Sequence, residues 1–175
     1  MRGPYYNVES LKPDTSIGFL LKHSGVLMTQ VAARRFESTA ITFTEWLVLM
    51  HADSRPHITA TQLSEHLGHD MGALTRVVDG LVRRKLVRRE RSQRDRRVVE
   101  IAVTAAGRRQ AQLGKRIVAE LLNQLVEPFS NPEIETLIGL LQRLMAHLQA
   151  AATTMPQAAR RTRGARGKST SGAQA

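Results

Sequence analysis

The sequence predicts a mainly α-helical fold with one small β-hairpin: helix, helix, helix-turn-helix, hairpin, then two long helices. Three observations carry that prediction. Side chains that cap helix N-termini recur just ahead of apolar stripes, at Thr42, Thr59, Asp70 and Thr104. The apolar period switches from 3.6 to 2 in a single stretch, RRVVEIAV, and then switches back. The first and last helices carry apolar stripes broader than so small a middle could cover, and such a helix usually buries its stripe in another copy of the chain. The outcome is a winged helix-turn-helix lobe over residues 42–104, with α-helical dimerisation segments at 14–36 and 105–150.

Each element follows from local pattern. Residues 1–13 show no period and are expected to form a flexible arm. Ile17, Leu20, Leu21, Leu27, Met28 and Val31 then fall at helical spacing, with Asp14 as the expected cap. In TFTEWLVLMHA, Thr42 and Glu45 have the spacing of a capping box, and Pro56 closes the helix they open. Thr59 and Gln62 repeat the spacing, starting a short helix that stops at Gly68. Asp70 can cap the next helix, whose stripe is Leu74, Val77, Val78, Leu81 and Val82. Only a tight turn fits between these two short helices, and that is how a helix-turn-helix presents its second helix to a groove. Val99, Ile101 and Val103 alternate with Val98, Glu100 and Ala102. With LVRRER as partner strand and turn-rich SQRD between, they form a hairpin. Thr104 opens a long helix carrying Leu113, Ile117, Leu121 and Leu125, and Asn131-Pro132 opens the last one. Residues 151–175 are Ala, Thr, Gly, Arg and Ser, and RRTRGARGK adds five positive charges and no negative one. This end is expected to be a disordered basic tail.

Composition narrows the partner. The chain of 175 residues has an ordinary apolar content of 42% but a formal net charge of +11. Of the 22 residues from Arg76 to Arg97, ten are Lys or Arg and three are acidic. Charge of one sign packed so closely repels itself, and it points to a polyanion: nucleic acid first, an anionic membrane surface second. With no cysteine, disulfides and thiolate metal sites are excluded. The N-terminal MRGPYYNVESLKPD lacks the apolar segment of a secretory signal, and no apolar run is long enough to span a bilayer, so the expected location is cytoplasmic and nucleoid-associated. His66 and His69 stand three apart, but Gly68 ends the helix between them and spoils a shared face. No metal site, no cofactor and no catalytic constellation is expected.

The run LGHDMGALTRVVDGLVRRKLVRRERSQRDRRVVEIAVTAAG resembles the recognition-helix and wing core of the MarR family of bacterial regulators. Leu67, Gly68, Thr75, Arg76, Asp79, Leu81, Leu86, Val87, Asp95, Arg97, Thr104 and Gly107 match the family scheme, and the likeness extends over Ile17 to Leu148. Gly72 and Ala73 stand where the family often has Ser or Thr, Gly80 where Arg is common, and Lys85 where Gly is usual. The resemblance implies a homodimeric, DNA-binding transcriptional regulator, more often a repressor, with a pseudo-palindromic operator. It also implies a crevice for a small aromatic or phenolic anion between the dimerisation helices and the DNA-binding lobe.

Residue roles follow. Thr75 and Arg76 are the base-edge candidates, with Ala73 offering apolar contact to thymine methyls; Arg76 could instead meet a phosphate. Arg83, Arg84, Arg88 and Arg89 lie where phosphate contacts are expected, or form a solubilising face. Arg94, Arg96 and Arg97 at the hairpin tip suit a narrow minor groove. Asp95 is expected to bond an Arg side chain or turn amides, and the resemblance assigns the aiming of Arg97 to it. His23 and Trp46 are the ligand candidates in the crevice, although Trp46 also reads as core. A non-specific architectural nucleic-acid protein and an enzyme on the same scaffold are the rival readings, and the enzyme lacks a convergent polar pocket in the sequence.

Overall fold

Helix starts are fixed by side chains that satisfy otherwise orphaned amides. In a computed structural model describing residues 4–154, α1 (Ile17–Phe36) begins after Ser16, whose hydroxyl accepts from the Phe19 amide. The cap is therefore Ser16 and not the expected Asp14, because a cap accepts from the second or third amide of the helix, here Phe19, and Asp14 lies five residues before it. The expected boxes form at α2 (Phe43–Ser54), between Thr42 and Glu45, and at α3 (Ala60–Leu67), between Thr59 and Gln62. Gly68 ends α3 in the left-handed conformation at φ 64°. Asp70 accepts from the Gly72 and Ala73 amides to open α4 (Met71–Arg83).

Strands β1 (Val87–Arg91) and β2 (Val99–Val103) pair antiparallel, from Val87 opposite Val103 to Arg91 opposite Val99. The Ile101 amide donates to the Ile58 carbonyl at 2.8 Å, so the loop before α3 adds a third, one-bridge edge to the hairpin base. Thr104 accepts from the Gly107 amide and opens α5 (Ala105–Val126).

The described residues divide into two units, one ending at Leu125 and the other beginning at Val126. In the first, Phe36, Ile41, Trp46, Val48, Leu49, Leu63, Leu74, Val78, Leu81, Leu86, Ile101 and Val103 form one core. Leu81 and Leu86 lock the end of α4 through paired Schellman bonds, Leu86 N–H to Leu81 O and Lys85 N–H to Val82 O. Gly107 admits α5 to this core: a Cβ there would lie 2.0 Å from the Leu86 carbonyl oxygen. Large apolar side chains along α1, among them Phe19, Leu20, Leu21, Leu27 and Met28, stay exposed.

The second unit contains α6 (Asn131–Thr154), which fully buries no residue and exposes Leu137, Ile138, Leu140, Met145 and Leu148. It runs through Thr154, four residues past the expected boundary at 150. The remainder of the expected basic tail, Arg160 to Lys168 included, lies outside the described residues.

Candidate nucleic-acid interface

Helix α4 turns Leu74, Val78 and Leu81 into the core, and this orients its other face outward. Met71, Gly72, Ala73, Thr75, Arg76 and Arg83 are exposed there. Thr75 gives its hydroxyl to the Met71 carbonyl at 2.7 Å, one turn back. Arg76 and Arg83 take part in no ion pair among the described residues.

The hairpin tip is organised by Asp95. Its Oδ1 accepts from the Arg97 amide at 2.9 Å, and its carbonyl accepts from Val98. Of the two partners expected for Asp95, the turn amide is the one present. Arg94, Arg96 and Arg97 project from this turn, exposed and without an ion pair among the described residues.

Three of the other expected phosphate contacts are already engaged. Arg84 grips both carboxylate oxygens of Glu45 at 2.9 and 3.0 Å and also reaches the Ala40 carbonyl. Arg89 pairs with Asp79 at 2.6 Å, and Arg88 pairs with Glu90. Arg84 makes three hydrogen bonds, to Glu45 and Ala40, whereas Arg88 and Arg89 each make a single surface pair; all three side chains stay exposed.

One residue of the wing escaped the sequence reading. Glu100 stands in the alternation with exposed neighbours, yet it is buried, while Val99 beside it is 44% exposed. Its Oε2 accepts from His57 Nδ1 at 2.7 Å. A hydrogen bond from the Ser92 hydroxyl, then the one from His57, holds the Glu100 carboxyl below the usual carboxylate range, with burial opposing. His57 itself sits at φ 69°, so the loop before α3 is held in a strained turn against the wing base. The only signal in the sequence was an acid inside an otherwise apolar strand.

The two ligand candidates lie in different surroundings. Trp46 is core: it is 4% exposed, its Nε1–H donates to the Ala111 carbonyl at 3.0 Å, and it stacks between Phe36, Phe43 and the bare backbone of Gly114. His23 is exposed and stacks on Phe19. A cavity of about 410 Å³ is lined by Phe36, Ala40, Ile41, Leu113, Arg116 and Ile117 among others. Of its α5 residues, Leu113 and Ile117 belong to the apolar stripe expected for that helix. Among the described residues no three His, Asp or Glu side chains converge on a possible metal site.

Residues 41–98, from just before α2 through β1 and the turn before β2, match the MarR family model. The lobe is similar to the winged helix of the MarR family. Solved structures agree across more of the chain. A probable transcriptional regulator from Pseudomonas aeruginosa is 28% identical with a TM-score of 0.63, covering 76% of this chain and 99% of its own. Apo MarR from E. coli is 26% identical at 0.66, covering 74% and 96%. CouR from Rhodococcus jostii, bound to p-coumaroyl-CoA, is 25% identical at 0.66, covering 77% and 95%. No curated protein matches the chain. MarR-family proteins are transcriptional regulators, and among the described residues no helix is long and apolar enough to cross a membrane.

Proposed function

We propose that this MarR-family regulator is a homodimeric repressor that binds a pseudo-palindromic operator and is released by a small aromatic or phenolic ligand. The observation that carries the reading is the exposed set of arginines on one lobe that make no ion pair among the described residues: Arg76 and Arg83 on α4, and Arg94, Arg96 and Arg97 on the wing. Helix α4 enters the major groove, and the wing arginines enter the adjacent minor groove. Two copies, joined through the exposed apolar faces of their α1 and α6 helices, place two such lobes one helical turn apart. Occupation of the operator then blocks polymerase.

The cavity of about 410 Å³ falls within the range of small-molecule sites. A ligand bound there releases DNA only if it binds one lobe spacing better than the other. CouR, crystallised with an aromatic thioester, supports an aromatic ligand for this protein.

Footprinting on the DNA flanking the protein's own gene tests the reading: a protected pseudo-palindrome that survives excess genomic DNA is expected. Protection lost to bulk DNA would instead make the protein a non-specific architectural binder. Within the footprint, Arg97→Ala should abolish specific binding with unchanged circular dichroism. Full operator affinity in that variant would remove the wing from the mechanism.

A further inference from the structure

We infer that α4 reads thymine C5-methyl groups beside a single guanine, making the operator half-site a short thymine-rich run abutting one G·C pair. This rests on the reading of α4 as the helix that enters the major groove, and it names what that helix recognises there.

The exposed face of α4 decides the matter by its chemistry. Adenine is read in the major groove by Asn or Gln, and MGALTRVVDGLVR contains neither. Cytosine is read by a carboxylate. The one acid of the helix, Asp79, is held by Arg89 at 2.6 Å. Guanine is read by Arg or Lys, and Arg76 is exposed in the first two turns without an ion pair among the described residues. Thymine is read by apolar contact with its methyl group. Met71 is 41% exposed at the first position of the helix, and Ala73 is exposed beside it. Thr75 donates its hydroxyl hydrogen to the Met71 carbonyl, so what it offers a base is its methyl group and an acceptor oxygen.

Gly72 makes such contact possible. It lies on this exposed face, and without a side chain there the helix backbone can come close to the base edges. A Cβ at that position would also stand 3.1 Å from the Asp70 Oδ1 that caps the helix. Residues that lack polar donors, which look like a loss for a reading helix, thus form a low apolar surface matched to methyl groups.

The test is selection of duplexes from a random pool with the full-length protein, followed by base-analogue replacement in the enriched site. Each contacted thymine exchanged for deoxyuridine, which lacks only the methyl, should weaken binding about fourfold. Exchange of the guanine for 7-deazaguanine, which lacks the N7 acceptor, should weaken it about tenfold or more. Met71→Ala should bind thymine and deoxyuridine equally at its own position, and Arg76→Ala should do the same for guanine and 7-deazaguanine. Equal affinity of the wild-type protein for thymine and deoxyuridine sites, or selection of sites without thymine runs, would overturn the inference and leave the regulator standing. A pool with no enrichment at all would overturn both.

Discussion

Lys85 occupies the left-handed region at φ 57°, as the residue just past the α4 cap in the Schellman turn. A side chain there costs about 1–2 kcal/mol of local strain. Glycine would relieve it but would lose more freedom on folding, by about 0.5–1 kcal/mol relative to a residue with a Cβ. Lys85→Gly should therefore stabilise the protein by about 0.5–1 kcal/mol, read as a higher urea midpoint at unchanged slope. An unchanged or lower midpoint would mean that the Lys85 side chain makes a contribution its exposed position hides. Glu100 gives a prediction in pH. Its folded-state carboxyl lies below the ordinary range, held there by Ser92 and then His57. The stability it contributes is therefore complete above the ordinary glutamate value and is lost as pH falls through the depressed one. Glu100→Gln cannot titrate, so its stability should fall less steeply than the wild type's on the acid side. Superimposable acid limbs of the two proteins would refute the anchoring of the wing base by this carboxylate.

At the level of elements, one carboxylate ties three pieces together. Glu45 closes the capping box of α2 through the Thr42 amide and grips Arg84 at the end of α4, while Arg84 also holds the Ala40 carbonyl. Arg83 next to it has no such partner among the described residues. The two neighbouring arginines should therefore respond differently in DNA binding. Arg83→Ala should reduce the slope of log affinity against log salt by about 0.9 per protomer, as a lost phosphate contact does. Arg84→Ala should leave the slope unchanged and lower stability by about 1 kcal/mol, a modest figure because the side chain is 41% exposed. Equal slope changes for the two variants would return Arg84 to the phosphate-contacting set. The contrast also shows what the sequence could carry. Capping boxes at Thr42 and Thr59, the cap at Asp70 and the hairpin were legible because each depends on residues a few positions apart. The Arg84–Glu45 grip spans 39 positions and the His57–Glu100 bond 43, and no local pattern encodes them. From its stripe Trp46 reads as core more readily than as ligand wall. The question was settled by Gly114, where a Cβ would stand 2.1 Å from the indole.

For the molecule as a whole, the net charge of +11 makes self-repulsion the default, so assembly of two copies needs an apolar surface strong enough to oppose it. Helix α1 offers one. Leu20, Leu27 and Met28 are 46%, 47% and 39% exposed within the single chain, although their spacing is that of a buried stripe. Leu27→Glu discriminates between a surface that merely tolerates leucine and one that is covered by a second copy. In an isolated chain the change falls at a half-exposed position and should cost less than about 0.5 kcal/mol, with helix content unaltered. In a dimer it buries an unpaired carboxylate at the contact, and such a charge costs several kcal/mol. Sedimentation should then show the wild type as a dimer at micromolar concentration and Leu27→Glu as a monomer. The monomer keeps α4 and the wing intact, so it should retain salt-dependent, non-specific DNA binding while losing preference for a two-half-site operator. A Leu27→Glu protein that still sediments as a dimer would place the interface elsewhere on the molecule, and the exposed α1 stripe would need another partner.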